Sequence, residues 1–590
     1  MIVPMVKYSF LIYHQEYDEF LSDLQNLGVV DIIERDVELD DETQDKIYLI
    51  KEYTNRVNYL KKRMIEPQEP SGTEWNGSDL LHEIDELDQE KEQILLQQNT
   101  LRKEFINAKP WGDYSFESIE NLKEVGLTVH FFTCSEKRFN PAWHETYSIG
   151  VISTFQSTLY FVVFKKNDEV IDIEADEIKM PARPLSHVVE EQNAKEKRLK
   201  EINETLDDFA GKQIAVLEND LENLEVETDF RKAILNTKNE ASNTLKILEG
   251  WVPKTHEKEL KDHIETKGHV HLKADPDNIE KPPILLKNNK FTKLFEPIGN
   301  LFSLPDYGEF DLTPIFAPFF MMFFGFCLGD AGYGILFVIL GTVLKFKLDK
   351  KARPVLTLLQ WLGTGTIIFG ILTGTFFGIN LLEVETLGNF RNIMLNNDQT
   401  FALAIILGLI QILVGTVIRA ANQIKQNGFA YGLPPIGWIL LILGLLDKYM
   451  LEMTGIVGVI MIFAGLFFIV FFSDPKASIF GRIAKGLWDL YGITGIFGDV
   501  LSYIRLFALG VSSAILGFVI NDIAMQIKAS GPIIGPVFFV VFLLLGHGLN
   551  IAIASLGSFV HPMRLTFVEF YKNAGFSGGG RKYKPFTNKR

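Results

Sequence analysis

The chain has 590 residues, 47% hydrophobic and 22% charged, with a formal net charge of −16; that length exceeds one ordinary domain. The charge is uneven, about −22 over residues 1–299 and about +6 over the rest, so the first half repels phosphates and nucleic acid is excluded as its partner. Only two cysteines occur, Cys134 and Cys327, one in each half, which excludes a disulfide framework or a cysteine-based zinc site and fits a reducing, cytosolic setting for the first half.

The opening segment MIVPMVKYSFLIYHQEYDEF has a short apolar run broken by Lys7 and His14. It lacks a signal-peptide core, so the first domain is expected to stay in the cytoplasm. Residues 3–13 read as a strand, 15–27 as a helix ended by Gly28, and 29–33 as a second strand. Long polar helices are predicted over 38–64 and 78–108, the latter with an apolar stripe of Leu80, Ile84, Leu87, Ile94 and Leu101. Further strands are expected at 127–133, 148–154 and 157–164. A third helical pattern covers about 186–249, with Leu199, Ile202, Leu206, Phe209, Leu217, Leu221 and Leu224 recurring every three or four residues. These stripes suit an antiparallel coiled coil; a solvated helical bundle is the alternative. The expected N-terminal domain, 1–311, is therefore elongated, with α/β lobes near 1–35 and 110–180, coiled-coil helices near 38–108 and 186–250, and an irregular, proline-bearing connector over 251–311.

From 314 onward apolar runs reach the roughly 20 residues that cross a bilayer. They lie near 355–381, 399–421, 433–449, 453–472, 490–528 and 533–571. A further run, 314–346, is interrupted by Gly329-Asp330-Ala331-Gly332 and ends in KFKLDKKARP. Positive residues mark the cytoplasmic side, so this run reads as a two-helix hairpin, both ends cytoplasmic. The acidic loop 382–398 (Glu383, Glu385 and Asp398 against Arg391) is placed outside, and Arg419, Lys425, Lys476, Arg482 and Lys485 inside. The expectation is an α-helical membrane domain, 312–590, of eight membrane helices, with both termini cytoplasmic and a tail from about 573. The glycines Gly370, Gly374 and Gly378 are spaced for close helix packing. The last two spans are overlong: 490–528 would reach about 58 Å as one helix against a core of about 30 Å, so each is either strongly tilted or lies flat at its start, and two long tilted helices are expected.

Arg505 lies in DVLSYIRLFALGVSSAILGFVI and Arg564 in SLGSFVHPMRLTFVEFY. An arginine in a span costs about 2.5–3.5 kcal/mol on insertion scales, which makes it functional by default, and it cannot shed its proton. Few acids stand nearby in sequence: Asp499 is six residues before Arg505 and off its face, Glu569 is five after Arg564, and Asp330 is the third choice. This points to an anion on another subunit. Snorkelling of Arg564 to the surface beside Pro562 is the competing local reading. Ser502, His547, Asn550, Ser555, Ser558 and His561 are candidates for lining a water path, although each taken singly is more often a packing residue. No third ligand is spaced to join His547 and His561 on a metal. There is no GxxxxGK[ST] phosphate loop and no nucleophile triad, so no cofactor is expected and the chain does not look able to hydrolyse ATP.

The segments SYIRLFALG (502–510), FVHPMRLTFVEFY (559–571), GGGRKYKPF (578–586), FFGFCLGDAGYG (323–334) and EGWVP (249–253) resemble subunit I of bacterial and archaeal V/A-type ATPases, the counterpart of eukaryotic V-ATPase subunit a. The likeness runs in order over nearly the whole chain, whose compact length is closer to prokaryotic members. It implies a multi-pass subunit of a prokaryotic cell membrane, set against a ring of proteolipid subunits and held by peripheral-stalk subunits of the E/G type. The family places arginines matching Arg505 and Arg564 against the ring carboxylates, between two half-channels, and an acid matching Glu569 on the cytoplasmic access path. A fixed positive charge there favours the ionised carboxylate. Ser513 stands where relatives carry a histidine, and Ala554 where some carry a glutamate. The outer half-channel therefore departs from the family pattern, and the coupling ion is H+ or Na+. The competing classes are a stand-alone secondary transporter, which predicts inverted repeats that are not found, and a membrane sensor, which needs no paired intramembrane arginines.

Overall fold

The computed structural model describes residues 1–35, 38–64, 75–166, 171–241, 244–275, 281–348, 350–383, 394–448, 456–530, 532 and 534–588. In chain order, β1 (Met5–Tyr13), α1 (Tyr17–Leu27) and β2 (Asp31–Ile32) come first. Then follow α2 (Asp41–Arg63), α3 (Gly77–Ala108), α4 (Phe116–Glu124), β3 (Leu127–Ser135), α5 (Trp143–Thr146), β4 (Ser148–Phe155), β5 (Thr158–Lys166), β6 (Asp176–Ile178), α6 (Leu185–Lys212) and α7 (Ile214–Leu235). Next are β7 (Lys238–Glu240), β8 (Leu245–Pro253), α8 (Glu257–Lys267), β9 (Val270–Ala274), α9 (Lys290–Lys293) and α10 (Glu296–Asn300). The apolar half holds α11 (Thr313–Leu328), α12 (Ala331–Lys347), α13 (Arg353–Thr373), β10 (Thr375–Phe376), β11 (Ile379–Asn380), α14 (Asn397–Asn427), α15 (Phe429–Leu446) and α16 (Ile456–Phe472). It closes with α17 (Ile479–Leu490), α18 (Gly492–Ser502), α19 (Ile504–Ala529), α20 (Ile534–Arg564), a π-helical turn Leu565–Phe570, and α21 (Tyr571–Ala574).

The chain folds as two compact units, Met1–Glu34 with Thr237–Thr587, and Arg35–Asn236. In the second unit, the apolar stripes of α2, α3, α6 and α7 meet in one core that includes Leu60, Leu80, Ile84, Ile202, Leu206 and Leu217. Asp40 caps α2 by accepting from the Thr43 N–H, and Lys61–Arg63 sit at its C-terminal end, both favourable to the helix dipole. Ion pairs fix antiparallel registers: Lys46 with Glu227 and Lys61 with Glu218 join α2 to α7, and Arg198 with Glu90 joins α6 to α3. The four-stranded antiparallel sheet β4-β5-β3-β6 buries Phe132, Cys134, Leu159, Phe161 and Val163 on one face.

In the first unit, β8 pairs with β1 along its whole length, from Met5 opposite Pro253 to Tyr13 opposite Leu245. The sheet runs β2-β8-β1-β9, with β7 on β8. This corrects the expectation of helix to residue 249: the helix ends at Leu235, and LKILEGWVP is a strand. The pairing buries Leu248, Trp251 and Val252, a gain that local periodicity, blind to a partner 240 residues away, does not register.

Among the described residues, five helical stretches are long and apolar enough to cross a membrane: Arg353–Thr373, Asn397–Asn427, Phe429–Leu446, Ile479–Ala529 and Ile534–Ala574; Thr313–Leu328 and Ile456–Phe472 are shorter apolar helices. The chain does reverse at Gly329, in the left-handed region at φ +57°, a conformation that favours glycine. The two legs of the reversal, α11 and α12, both pack on α13. Phe326 meets Phe369 at a ring separation of 5.3 Å, while Gln360 donates to Thr342 at 2.8 Å. Gly325 lies so close to Gly365 that a Cβ on it would sit 2.4 Å from that carbonyl carbon.

Two expectations are revised here. The helix expected to run to 381 stops at Thr373, so Gly370 packs on the Asp330–Ala331 turn, Gly374 caps the helix end at φ +70°, and Gly378, at φ +69°, lies in the β10–β11 turn. The single helix expected over 490–528 is broken at Tyr503. That residue is fully buried and donates to Gln411 Oε1 on α14 at 2.7 Å. Of the expected outer loop, Glu385 and Arg391, and the side chain of Glu383, lie outside the described residues.

The tail after Gly575 is strapped to the N-terminal sheet. Asp31 accepts from the Lys584 N–H at 2.6 Å and pairs with Arg581. Tyr583 Oη donates to Val29 O at 2.7 Å, the Phe586 N–H donates to Val30 O at 2.7 Å, and Ile284 forms a parallel bridge with Lys582. Nearer α21, Glu309 accepts from the Ser577 N–H at 2.7 Å.

Candidate functional site

Arg505 is the second residue of α19, just past the Tyr503 break, and Arg564 is the last residue of α20. The two helices pack side by side. Arg564 is exposed and continues a stripe of exposed apolar residues along α20, namely Leu545, Leu549, Ile553, Leu556 and Val560. Arg505 is half-buried and its Nη1 has no hydrogen-bond partner.

The π-turn explains how Glu569 approaches Arg564. Five residues apart in an α-helix would lie about 140° apart around the axis. In Leu565–Phe570 the bonding reaches one residue further, with the Tyr571 N–H donating to Thr566 O, and this brings Glu569 towards the arginine face. Glu569 is 2% exposed. Ser502, Arg564 and Arg505 are its polar and charged neighbours, and its Oε2 has no hydrogen-bond partner. His561, half-buried, neighbours both arginines.

The other candidate acids are engaged elsewhere. Asp330 is buried and accepts four backbone N–H groups, from Gly332, Tyr333, Phe377 and Gly378, at 2.8–3.2 Å. It ties the α11–α12 turn to the β10–β11 turn rather than facing an arginine. Asp499 accepts from Lys572 Nζ at 3.1 Å on both oxygens and from Asn573 Nδ2 at 2.9 Å.

His547 and Asn550 join a closed chain of hydrogen bonds. Asn550 Nδ2 donates to Tyr333 Oη at 2.9 Å, Tyr333 Oη meets His547 Nδ1 at 2.7 Å, His547 Nε2 meets Asn521 Oδ1 at 3.0 Å, and Asn521 Nδ2 donates to Phe377 O at 2.7 Å. Every link is satisfied if the imidazole is neutral and carries its proton on Nε2. The chain pins α12, α19, α20 and the β10–β11 turn together. Sequence reasoning missed Tyr333, Gln411 and Asn521, because a single polar residue in an apolar run carries no signal of which distant residue it meets.

Ser513 and Ser558 are buried, and neither hydroxyl has a hydrogen-bond partner; Ser555 is half-buried and bonds Ala552 O. Among the described residues, the buried side-chain atoms of the apolar half without a partner are Gln411 Nε2, Arg505 Nη1, Ser513 Oγ, Ser558 Oγ, His561 Nδ1 and Glu569 Oε2. All but Gln411 lie on α19, α20 and the π-turn. Buried polar atoms are nearly always bonded, so this concentration marks a polar seam through an apolar region. No group of three His, Cys, Asp or Glu side chains among the described residues is placed to hold a metal.

A model of the V-type ATPase 116kDa subunit family matches residues 151–358. The V-type ATP synthase subunit I of Borreliella burgdorferi is 27% identical over 86% of this chain and 85% of its own length. The A-type ATP synthase subunit I of Methanocaldococcus jannaschii is 29% identical over 81% and 72%. The V-type ATP synthase subunit I of Chlamydia trachomatis is 24% identical over 99% and 98%. The last of these likenesses extends over nearly the whole chain, both halves included. The chain is a homologue of the V/A-type ATP synthase subunit I proteins and of the V-type ATPase 116kDa subunit family.

Proposed function

We propose that this chain is the non-catalytic membrane stator of a rotary V/A-type ATPase, forming the two ion half-channels and facing the carboxylates of a proteolipid ring. In this reading eight membrane helices, α11 to α16, the α17–α19 stretch and α20, follow a cytoplasmic portion that ends near residue 311. Both termini are cytoplasmic, and peripheral-stalk subunits bind the N-terminal portion. The observation that carries it is the polar seam: Arg505 with a buried, unbonded Nη1, beside Arg564 on an otherwise apolar exposed stripe. A half-buried cation with an unmet hydrogen bond is costly. A carboxylate arriving on a neighbouring subunit removes that cost while it is ionised and must give up its ion to do so. Glu569 serves the cytoplasmic access path, and Ser513, Ser558 and His561 line the route around the arginines. The coupling ion is H+ or Na+, and the same geometry serves synthesis or pumping.

Gentle purification from the native membrane tests this reading. The expected outcome is co-purification of a small, very apolar ring subunit and of stalk subunits. A chain isolated alone, without either, sinks the stator assignment.

A further inference from the structure

Glu569 is set on the arginine face by a π-turn, and a π-turn persists only where something holds it, since an ordinary α-turn is the default. The holder is visible one turn on. Asn573 Nδ2 donates to Glu569 O at 2.7 Å and to Asp499 Oδ2 at 2.9 Å. Lys572 Nζ donates to both Asp499 oxygens at 3.1 Å. One carboxylate on α18 thus grips two consecutive residues of α21 directly after the π-turn. Ser502, one turn further along from Asp499, reaches the Glu569 side chain itself. The grip forms part of the wall of a cavity of about 340 Å3 that also meets Arg419 and Asp489.

We propose that Asp499, Lys572 and Asn573 are positioning residues that clamp the π-turn and thereby hold the Glu569 carboxylate beside Arg564. The inference rests on the ion-path reading above. Loss of the clamp lets the turn relax towards an α-helix, which swings Glu569 about the helix axis and away from the arginines. The charged and titratable groups facing Glu569 are Arg564, which ends α20, Arg505 on α19, and Tyr503 at the break between α18 and α19. None of them substitutes for the backbone hold that Asn573 supplies.

The test uses the complete complex reconstituted in vesicles, with ATP-driven pumping followed against pH and against Na+ on the ATP side. Asn573→Ala is expected to weaken the apparent affinity for the coupling ion about tenfold, one pH unit if the ion is a proton, with the saturated rate largely kept. Asn573→Gln should restore part of it. Asp499→Asn combined with Asn573→Ala should be no worse than Asn573→Ala alone, as residues of one network are not additive. Lys572 is 58% exposed, so Lys572→Met keeps the fold and should give a smaller shift in the same direction. Unchanged ion affinity in both Asn573→Ala and Lys572→Met, or additive effects in the double variant, overturns the clamp. Arg505→Ala separates the two levels: if it still pumps, the ion-path reading fails, whereas a dead Arg505→Ala beside unshifted clamp variants sinks the clamp alone.

Discussion

The helical bundle of Arg35–Asn236 and the α19–α20 pair are both built from long helices, yet they treat their polar groups in opposite ways. In the bundle, charges sit at the edge of the core and find partners there, as Arg56 does with Asp88 and Arg63 with Asp207. Along α19 and α20, two arginines, two serines, a histidine and a glutamate share a narrow region and leave five buried atoms unbonded. The first arrangement is that of a strut, whose polar groups serve its own stability. The second fits the proposal that something outside the chain completes it.

That contrast sets out how substitutions should divide. The largest stability effect is expected in the bundle: Leu206 is fully buried in its core, and Leu206→Ala should cost about 2–5 kcal/mol, read as a lowered denaturation midpoint of the purified chain. Next comes the tail strap, where Asp31→Ala frees Arg581 and strips the Lys584 N–H of its acceptor. A loss of about 1–3 kcal/mol is expected, seen as faster proteolysis of the tail. Burial pushes the Asp31 carboxyl above its ordinary value, although Lys584 and Arg581 pull it down. The folded state therefore holds this proton more tightly than the unfolded one, and the group's contribution to stability falls as pH rises through the interval just above about 3.9. Asp31→Asn should abolish that slope in a pH series of melting curves. Arg198→Ala, at a half-exposed pair, should cost less than about 1 kcal/mol. The smallest stability change is expected at the seam: Ser558→Ala removes a buried hydroxyl that bonds nothing, so melting should be unchanged or slightly improved while pumping slows. A clear loss of stability there would place Ser558 with the strut residues.

Much of this organisation was legible in the sequence. The apolar stripe of Leu80, Ile84, Leu87 and Ile94 marked α3, and Gly28 marked the end of α1, because both signals are local. The overlong apolar runs marked the arginine-bearing helices. What escaped were features fixed by distant partners: β8, which takes its strand form from β1; the break at Tyr503, anchored on Gln411; and the Tyr333–His547–Asn521 chain. The π-turn was hidden for a further reason. A five-residue spacing from Arg564 to Glu569 reads as opposite faces in an α-helix, and no local signal announces the extra residue.

The central claim is that Arg505 acts on an ion-carrying carboxylate outside this chain. The direct test is ATP-driven ion uptake by vesicles containing the complete complex with Arg505→Ala, compared with ATP hydrolysis by its detached soluble head. The expected result is uptake at background with hydrolysis by the head unchanged. Uptake at the unsubstituted level in that variant would contradict the account.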